Sequence, residues 1–238
     1  MNTPGVNAYA VAELALGMMI MLNRKVLGYW HNARQGNWDR GAFAASSLSL
    51  NHKTVGIVGG GNIGRRVAEK VRCFGAQVQY YDSFRLPETQ ERACGMTYVP
   101  LETLLATSDI VTLHVPLLES TRHMIGAAEL AQMKTGAILI NTARGGLVDD
   151  RALAQAVRSG KLSGAGLDGV EREPLSADDE LLHDPNIIVT PHIGGGTADL
   201  GDVIIPMLSE DLLAYAHGQQ PPHLVNQAFL RGACAHVS

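Results

Sequence analysis

Hydrophobic positions first cluster between Ala8 and about Leu27, where they fall on nearly every side and Glu13 is the one mid-span charge. A segment that is apolar all round at helical spacing is a buried helix. Asn7, after the Pro4-Gly5 turn, is its expected N-cap, and Glu13 is expected to pair with a cation or with backbone amides. Residues 28–50 lose this periodicity and carry Trp30, Trp38 and Phe43. They read either as an arm laid on a neighbouring subunit or as a loop tucked on their own domain. From Thr54 the pattern changes. Thr54–Val58 is a short β-branched run typical of a buried parallel strand. The next segment puts Ile63, Val67, Val71 and Phe74 on one helical face, with Gly75 in the C′ position. Gln77–Tyr81 is a second strand. The alternation continues with helices over 101–106, 127–133 and 149–157, the last capped by Asp149, and strands over 109–115, 137–142, 164–168 and 187–190. A closing helix spans about 197–216, and 219–238 is an extended or loosely ordered tail. Six strands alternating with helices predict an α/β fold, a doubly wound parallel sheet with helices on both faces.

Composition narrows the class of partner. The chain has 238 residues, 46% hydrophobic and 18% charged, enough for one or two domains with a sizeable core. A net charge of −4 offers no electrostatic case for nucleic acid or an anionic membrane. Cys73, Cys94 and Cys234 are odd in number and widely spaced, so neither disulfides nor a metal site is suggested, and a reduced, cytoplasmic setting is expected. The apolar run Val11–Leu22 is too short to span a bilayer, and no basic region precedes it as in a signal peptide.

Between the first strand and helix lies Gly59-x-Gly61-x-x-Gly64. Gly59 permits the tight turn, Gly61 lets backbone amides approach a pyrophosphate, and Gly64 lets the helix pack closely on the strand. The helix N-terminus attracts phosphate. Asp82, at the tip of the second strand, can accept both ribose hydroxyls of an adenosine and would repel a 2′-phosphate. Strand, turn, helix and acid together make this a Rossmann dinucleotide site that prefers NAD to NADP, with Arg85 as the one feature favouring NADP.

The unusual polar residues sit where strands end, the edge at which doubly wound sheets bind ligands. Pro116 follows the third strand, Thr142 to Arg144 the fourth, Asp168 ends the fifth and His192 follows the sixth, with Glu173 just beyond Asp168. Hydride transfer to a 2-keto acid needs a cation for the carboxylate, a proton donor for the carbonyl oxygen and a group that keeps the donor charged. Arg144 suits the first through its fork, His192 the second and Glu173 the third. Asp168 is placed to accept from a nicotinamide carboxamide, and His114 to line the cofactor cleft through backbone contacts. Each has a plainer rival: a turn closed by Arg144 with Gly145-Gly146, a structural histidine after Pro191, a loop end at Glu173-Pro174.

These residues carry a resemblance to the D-isomer-specific 2-hydroxyacid dehydrogenases, which include phosphoglycerate dehydrogenases. The matching motifs are NTPGVNAYAVAE (Asn2–Glu13), VGIVGGGNIG (Val55–Gly64), HVPL (His114–Leu117), INTARGGLVDD (Ile140–Asp150), GAGLDGVEREP (Gly164–Pro174) and TPHIGGGT (Thr190–Thr197). The resemblance implies a catalytic set of Arg144, Glu173 and His192, with NAD contacts from Gly59, Gly61, Asn62, Ile63, Gly64, Asp82, Val115, Pro116, Thr121, Thr142, Ala143, Arg144, Asp168, His192, Gly194 and Gly195, and no metal. It implies a small 2-hydroxy or 2-keto acid as substrate, and homodimers built through the cofactor domain. Residues 1–27 would then be an interdomain helix with a remnant of a substrate domain, 28–196 the NAD domain, and 197–238 a return to the substrate domain. Family members begin with more of that substrate domain, so NAD binding with impaired turnover is expected of this chain. Gly169 and Val170 replace bulkier apolar residues, which is expected to loosen the loop holding Glu173. The rival readings are an NAD-sensing module without turnover, akin to the family's corepressor relatives, and a formate or phosphite dehydrogenase.

Overall fold

The computed structural model describes residues 2–225. Two helices, α1 (Ala8–Asn23) and α2 (Val26–Arg34), precede the alternating part. This runs β1 (Thr54–Val58), α3 (Asn62–Cys73), β2 (Gln77–Tyr81), α4 (Glu88–Cys94), β3 (Thr97–Tyr98), α5 (Leu101–Thr107) and β4 (Ile110–Leu113). Then come α6 (Ala127–Gln132), β5 (Ala137–Asn141), α7 (Asp150–Arg158), β6 (Leu162–Leu167), α8 (Glu180–His183), β7 (Ile187–Val189) and α9 (Leu200–Ala216). The seven strands pair in parallel in the order β3-β2-β1-β4-β5-β6-β7. Strand order reverses between β1 and β4, which opens a crevice at their carboxyl ends.

The strands are apolar on both faces because both faces are covered. Val55 and Ile57 of β1 join Ile138 and Ile140 of β5 under α1 and α3, with Met18, Met19, Val67 and Val71. Val58 and Leu139, one position over, point the other way into Leu104, Leu105, Leu130, Leu153 and Val157 of α5, α6 and α7. A period of two with apolar residues on each side marks a two-sided parallel strand. Each such fully buried aliphatic side chain contributes about 1.5–3 kcal/mol.

Several details differ from the expectations. The sheet has seven strands rather than six, because two-residue β3 adds an edge that is too short to show a period. Helices α4 and α8 are short and were not expected. The first helix ends at Asn23 rather than Leu27. Lys25 takes a left-handed backbone (φ 52°) and turns its ammonium inward onto Ser163 O (2.9 Å) and Asn186 Oδ1 (3.3 Å). Burial lowers its pKa. The chain then re-forms as α2 inside the span expected to be irregular. Asn7 stands at the N-cap position without a side-chain capping bond. Phe74 falls outside α3 and is 49% exposed, whereas Gly75 takes the left-handed C′ position, its N–H donating to Arg72 O while that of Ala76 donates to Val71 O. Glu13 does pair with a cation, Lys70 (3.4 Å). Of the tail expected at 219–238, residues 226 onward lie outside the described residues.

Candidate active site

The turn between β1 and α3 is built around one close contact and one open space. A Cβ on Gly64 would lie 2.0 Å from Gly59 O, so only glycine lets α3 start against the strand. A Cβ on Gly61 would meet nothing within 4 Å. The backbone there faces space in which phosphate oxygens can approach the start of α3. Asp82 closes the turn from the tip of β2: its Oδ2 accepts from Gly60 N–H (2.7 Å) and its Oδ1 from Phe84 N–H (3.1 Å). The carboxylate stays half-buried at the crevice. Arg85, the residue that would suit NADP, is committed elsewhere. Its guanidinium forks onto Glu91 (Nε to Oε1 2.8 Å, Nη2 to Oε2 3.0 Å), to which the Tyr80 hydroxyl also donates (2.7 Å). The Arg85 fork, then the Tyr80 hydroxyl, hold the buried Glu91 carboxyl down at about 2.

At the other side of the crevice three loops meet. The loop after β5 is shaped by Asn141, whose Oδ1 accepts from Ala143 N–H (3.1 Å) and whose Nδ2 donates to Arg144 O (2.8 Å). Arg144 itself is exposed, with Nη1 donating to Ala143 O (2.7 Å). The loop after β6 lies directly on it. A Cβ on Gly145 would fall 1.8 Å from Val170 O, and one on Gly169 would fall 2.8 Å from Gly145 N and 3.3 Å from the Arg144 Cα. Gly169 thus lets the two loops interlock, so the loosening expected from its small size is not what the packing shows. Val170 is buried, and its N–H donates to Glu173 Oε1 (3.3 Å).

The loop after β7 completes the group. His192 Nδ1 meets Glu173 Oε2 at 3.1 Å and Oε1 at 3.3 Å, and both side chains remain about two-fifths exposed. His192 has φ 55°, a conformation unusual for a non-glycine residue and costly unless its surroundings impose it. Asp168 imposes it. Buried at the end of β6, this carboxylate accepts from the Thr190 hydroxyl (2.6 Å), Ile193 N–H (2.8 Å) and Gly194 N–H (2.7 Å), gripping the turn on both sides of the histidine. Arg144, Asp168, Glu173 and His192 therefore share the carboxyl edge of adjacent strands, as their positions in the sequence imply.

The remaining residues separate into two groups. Pro116 is exposed and Val115 half-buried, on the loop leaving β4, which packs directly against Gly59. Asn62 and Gly195 are approached by Gly5 and Asn7, so the segment before α1 borders the crevice too. Thr142 is buried, and its Oγ1 has no partner among the described residues. Thr121, in contrast, spends its hydroxyl locally, accepting from Leu118 N–H (2.8 Å) and donating to Pro116 O (2.7 Å). His114 is held by its side chain as well as its backbone. Nε2 meets Thr112 Oγ1 (2.9 Å), Nδ1 is buried with no partner among the described residues, and burial pushes the imidazole down to about 3. Sequence reasoning missed Asn141 and Thr190, which shape the two loops. An Asn closing an apolar strand is the available signal, since such residues bond to backbone two positions on.

These residues fit NAD. The open face over Gly61, the carboxylate of Asp82 and the unpartnered Thr142 hydroxyl are what a dinucleotide would fill, and Arg85 directs its Nε and Nη2 to Glu91. Among the described residues no group of three or more His, Cys, Asp or Glu is arranged to hold a metal, and no helix is long and apolar enough to cross a membrane.

Known proteins share this sequence pattern and fold. Residues 16–194 match the family model described as D-isomer specific 2-hydroxyacid dehydrogenase, NAD binding domain. A glyoxylate reductase of Korarchaeum cryptofilum is 41% identical over 232 residues, covering 97% of this chain and 70% of the relative. A hydroxypyruvate reductase of Thermotoga maritima is 43% identical over 201 residues, covering 84% and 64%. The crystal structure of D-lactate dehydrogenase with NAD+ from Lactobacillus jensenii superposes with a TM-score of 0.83 at 36% identity, covering 92% of this chain and 69% of that one. The chain therefore belongs to the D-isomer-specific 2-hydroxyacid dehydrogenases, NAD-dependent oxidoreductases built on this parallel sheet.

Proposed function

We propose that the chain exchanges a hydride between NAD and a small D-2-hydroxy acid/2-keto acid pair at the rim formed by Arg144, Glu173 and His192. The observation that carries this reading is the His192–Glu173 contact, set on the edge where the Arg144 loop also ends. When bound, NAD supplies the hydride-carrying nicotinamide. Gly61 and the start of α3 hold its pyrophosphate, and Asp82 its adenosine ribose. Asn62, Ile63, Val115, Pro116, Thr121, Thr142, Ala143, Gly194 and Gly195 border the rest, and Asp168 Oδ2, which carries only the Gly194 N–H, retains capacity to accept from the carboxamide.

Arg144 presents a planar fork to the substrate carboxylate, fixing which face of C2 is offered. With Nδ1 engaged by Glu173, His192 has Nε2 left to meet the substrate oxygen. In reduction it gives its proton to the carbonyl oxygen, and in oxidation it removes one from the hydroxyl. A carboxylate on the far nitrogen stabilises the cationic imidazole that gives the proton and fixes the ring orientation.

Two wider features belong to the same proposal. Residues 28–196 form the cofactor domain, 1–27 are an interdomain helix, packed on that domain's core through Met18 and Met19, with a remnant of the substrate domain, and 197–238 return to the substrate domain. Asn2 N–H donates to His223 O (3.1 Å), joining the two flanks, which supports this division. The α2 region is a dimer surface: Trp30 (56%) and Trp38 (77%) stand exposed there.

The test is NADH oxidation over glyoxylate, hydroxypyruvate, pyruvate and larger 2-keto acids, NAD reduction with formate and phosphite, and NADH affinity by fluorescence. Turnover confined to 2-keto acids is expected. Turnover with formate or phosphite alone, or tight NADH binding without turnover on any acid, would overturn the reading.

A further inference from the structure

A second histidine–carboxylate pair lies beside the first and takes no part in the roles above. His123 sits in the loop between β4 and α6, and its Nε2 is 3.0 Å from Glu171 Oε1. Like His192, it has a left-handed backbone (φ 49°). Its N–H donates to Gly146 O (2.7 Å), Ile125 N–H donates to Leu147 O (3.1 Å) and Asp149 N–H to Ile125 O (3.1 Å). Residues 123–125 thus run as a short parallel bridge along the segment that follows Arg144. On the other side of the pair, Glu171 N–H donates to Asp150 Oδ2 (2.8 Å). Glu171 is therefore held at both its backbone and its carboxylate, two residues from Glu173.

We propose that His123 is a positioning residue for the reaction: by holding Glu171, it fixes the loop that aims Glu173 at His192. The exposed span Glu171–Pro174 has few other anchors. Gly169 fixes its start against Gly145, and the Val170 N–H bond to Glu173 is internal to the loop. Without the Glu171 contacts the Glu173 carboxylate would be held within reach of His192 Nδ1 by the 3.3 Å Val170 N–H bond alone among the described residues. The charged groups around the clasp are Arg122 beside Gly146, and Asp149, Asp150, Arg151, Arg172, Asp179 and Glu180, which line one cavity with Glu171. Those around His192 are Glu173 and, beneath its turn, Asp168. Burial, followed by the nearby Glu171, raises the Asp150 pKa, although the Glu171 N–H opposes this.

This inference rests on the proposed roles of Glu173 and His192, and its test keeps the two apart. The His192 imidazole nitrogen resonances are recorded by NMR at one pH in the wild-type chain, Glu173→Gln, His123→Asn and His123→Gln, alongside NADH affinity and turnover. Asparagine tolerates the left-handed backbone but is too short to reach Glu171, and glutamine restores a donor. Glu173→Gln is expected to shift the His192 Nδ1 resonance, because its contact with a carboxylate is lost. His123→Asn is expected to shift the same resonance in the same direction by a smaller amount and to reduce kcat by roughly ten- to a hundredfold, with NADH affinity within twofold, and His123→Gln is expected to recover most of the loss. A shift in Glu173→Gln with none in His123→Asn would overturn the clasp alone. No shift in Glu173→Gln would overturn the underlying roles. Loss of NADH binding together with the shift would show a merely structural residue and would also overturn the proposal.

Discussion

Two glycine-rich regions border the crevice, and they use glycine for opposite purposes. At the β1–α3 turn, Gly61 leaves a space that no neighbouring group among the described residues comes within 4 Å of, measured from where its Cβ would be. At the rim, Gly145 and Gly169 remove side chains so that two loops can press together, Val170 O lying where a Gly145 Cβ would be. The first region is shaped to receive something, and the second is shaped to hold itself still. That division matches the chemistry: a cofactor must enter and leave, whereas an acid–base pair must keep its geometry through every turnover.

The comparison breaks most visibly at Gly145. Gly145→Ala forces a methyl into backbone, so it is expected to cost about 3 kcal/mol, a fall in Tm of roughly 6–12 °C, together with most turnover; differential scanning calorimetry checks the first and NADH oxidation the second. Gly61→Ala is the converse. Its backbone (φ −68°, ψ −162°) suits alanine and no neighbour is touched, so Tm stays within about 2 °C. The methyl occupies the pyrophosphate's approach, and NADH affinity measured by fluorescence falls roughly tenfold or more. An unchanged affinity would mean that the space over Gly61 is not the cofactor's.

Asp82→Ser sharpens the comparison from the ribose end. The preference for NAD over NADP is expected to narrow by about tenfold, read as the ratio of kcat/KM values. Arg85→Gln should leave that ratio unchanged, because Arg85 is bound to Glu91.

The smallest effect concerns His114, on the wall between the regions. Its folded pKa of about 3 lies below the value of about 6.5 for an unfolded histidine. Between those values the unfolded chain takes up a proton that the folded chain refuses, so stability falls as pH drops through this window. His114→Gln lacks that titration. Its Tm is expected to decline less between pH 7 and pH 4 than that of the wild type.

Much of this was legible in the chain, for identifiable reasons. The alternation of β-branched runs with amphipathic helices announces a parallel sheet, and strand ends then determine which polar residues share an edge, so Arg144, Asp168, Glu173 and His192 could be grouped before any coordinates. What the sequence hid was which bonds hold them. Asp168 reads as a ligand-facing acid, yet three of its bonds go to the turn carrying His192. Gly169 reads as slack, yet it is the contact that joins two loops. Both depend on distances between segments far apart in sequence, which no local period encodes. Strand β3 and the break at Lys25 were missed for a related reason: one is two residues long, and the other is set by a distant carbonyl on β6.

The central claim is that the glycine-rich turn holds the pyrophosphate and the rim carries the acid–base pair, and His192→Asn tests it most directly. NADH is titrated into the variant, then single-turnover oxidation is followed after mixing with glyoxylate or with whichever 2-keto acid the wild-type chain prefers. The account predicts NADH affinity within about twofold of the wild type and a hydride-transfer rate lower by roughly 10²–10⁴-fold. A variant that oxidises bound NADH at the wild-type rate would contradict it.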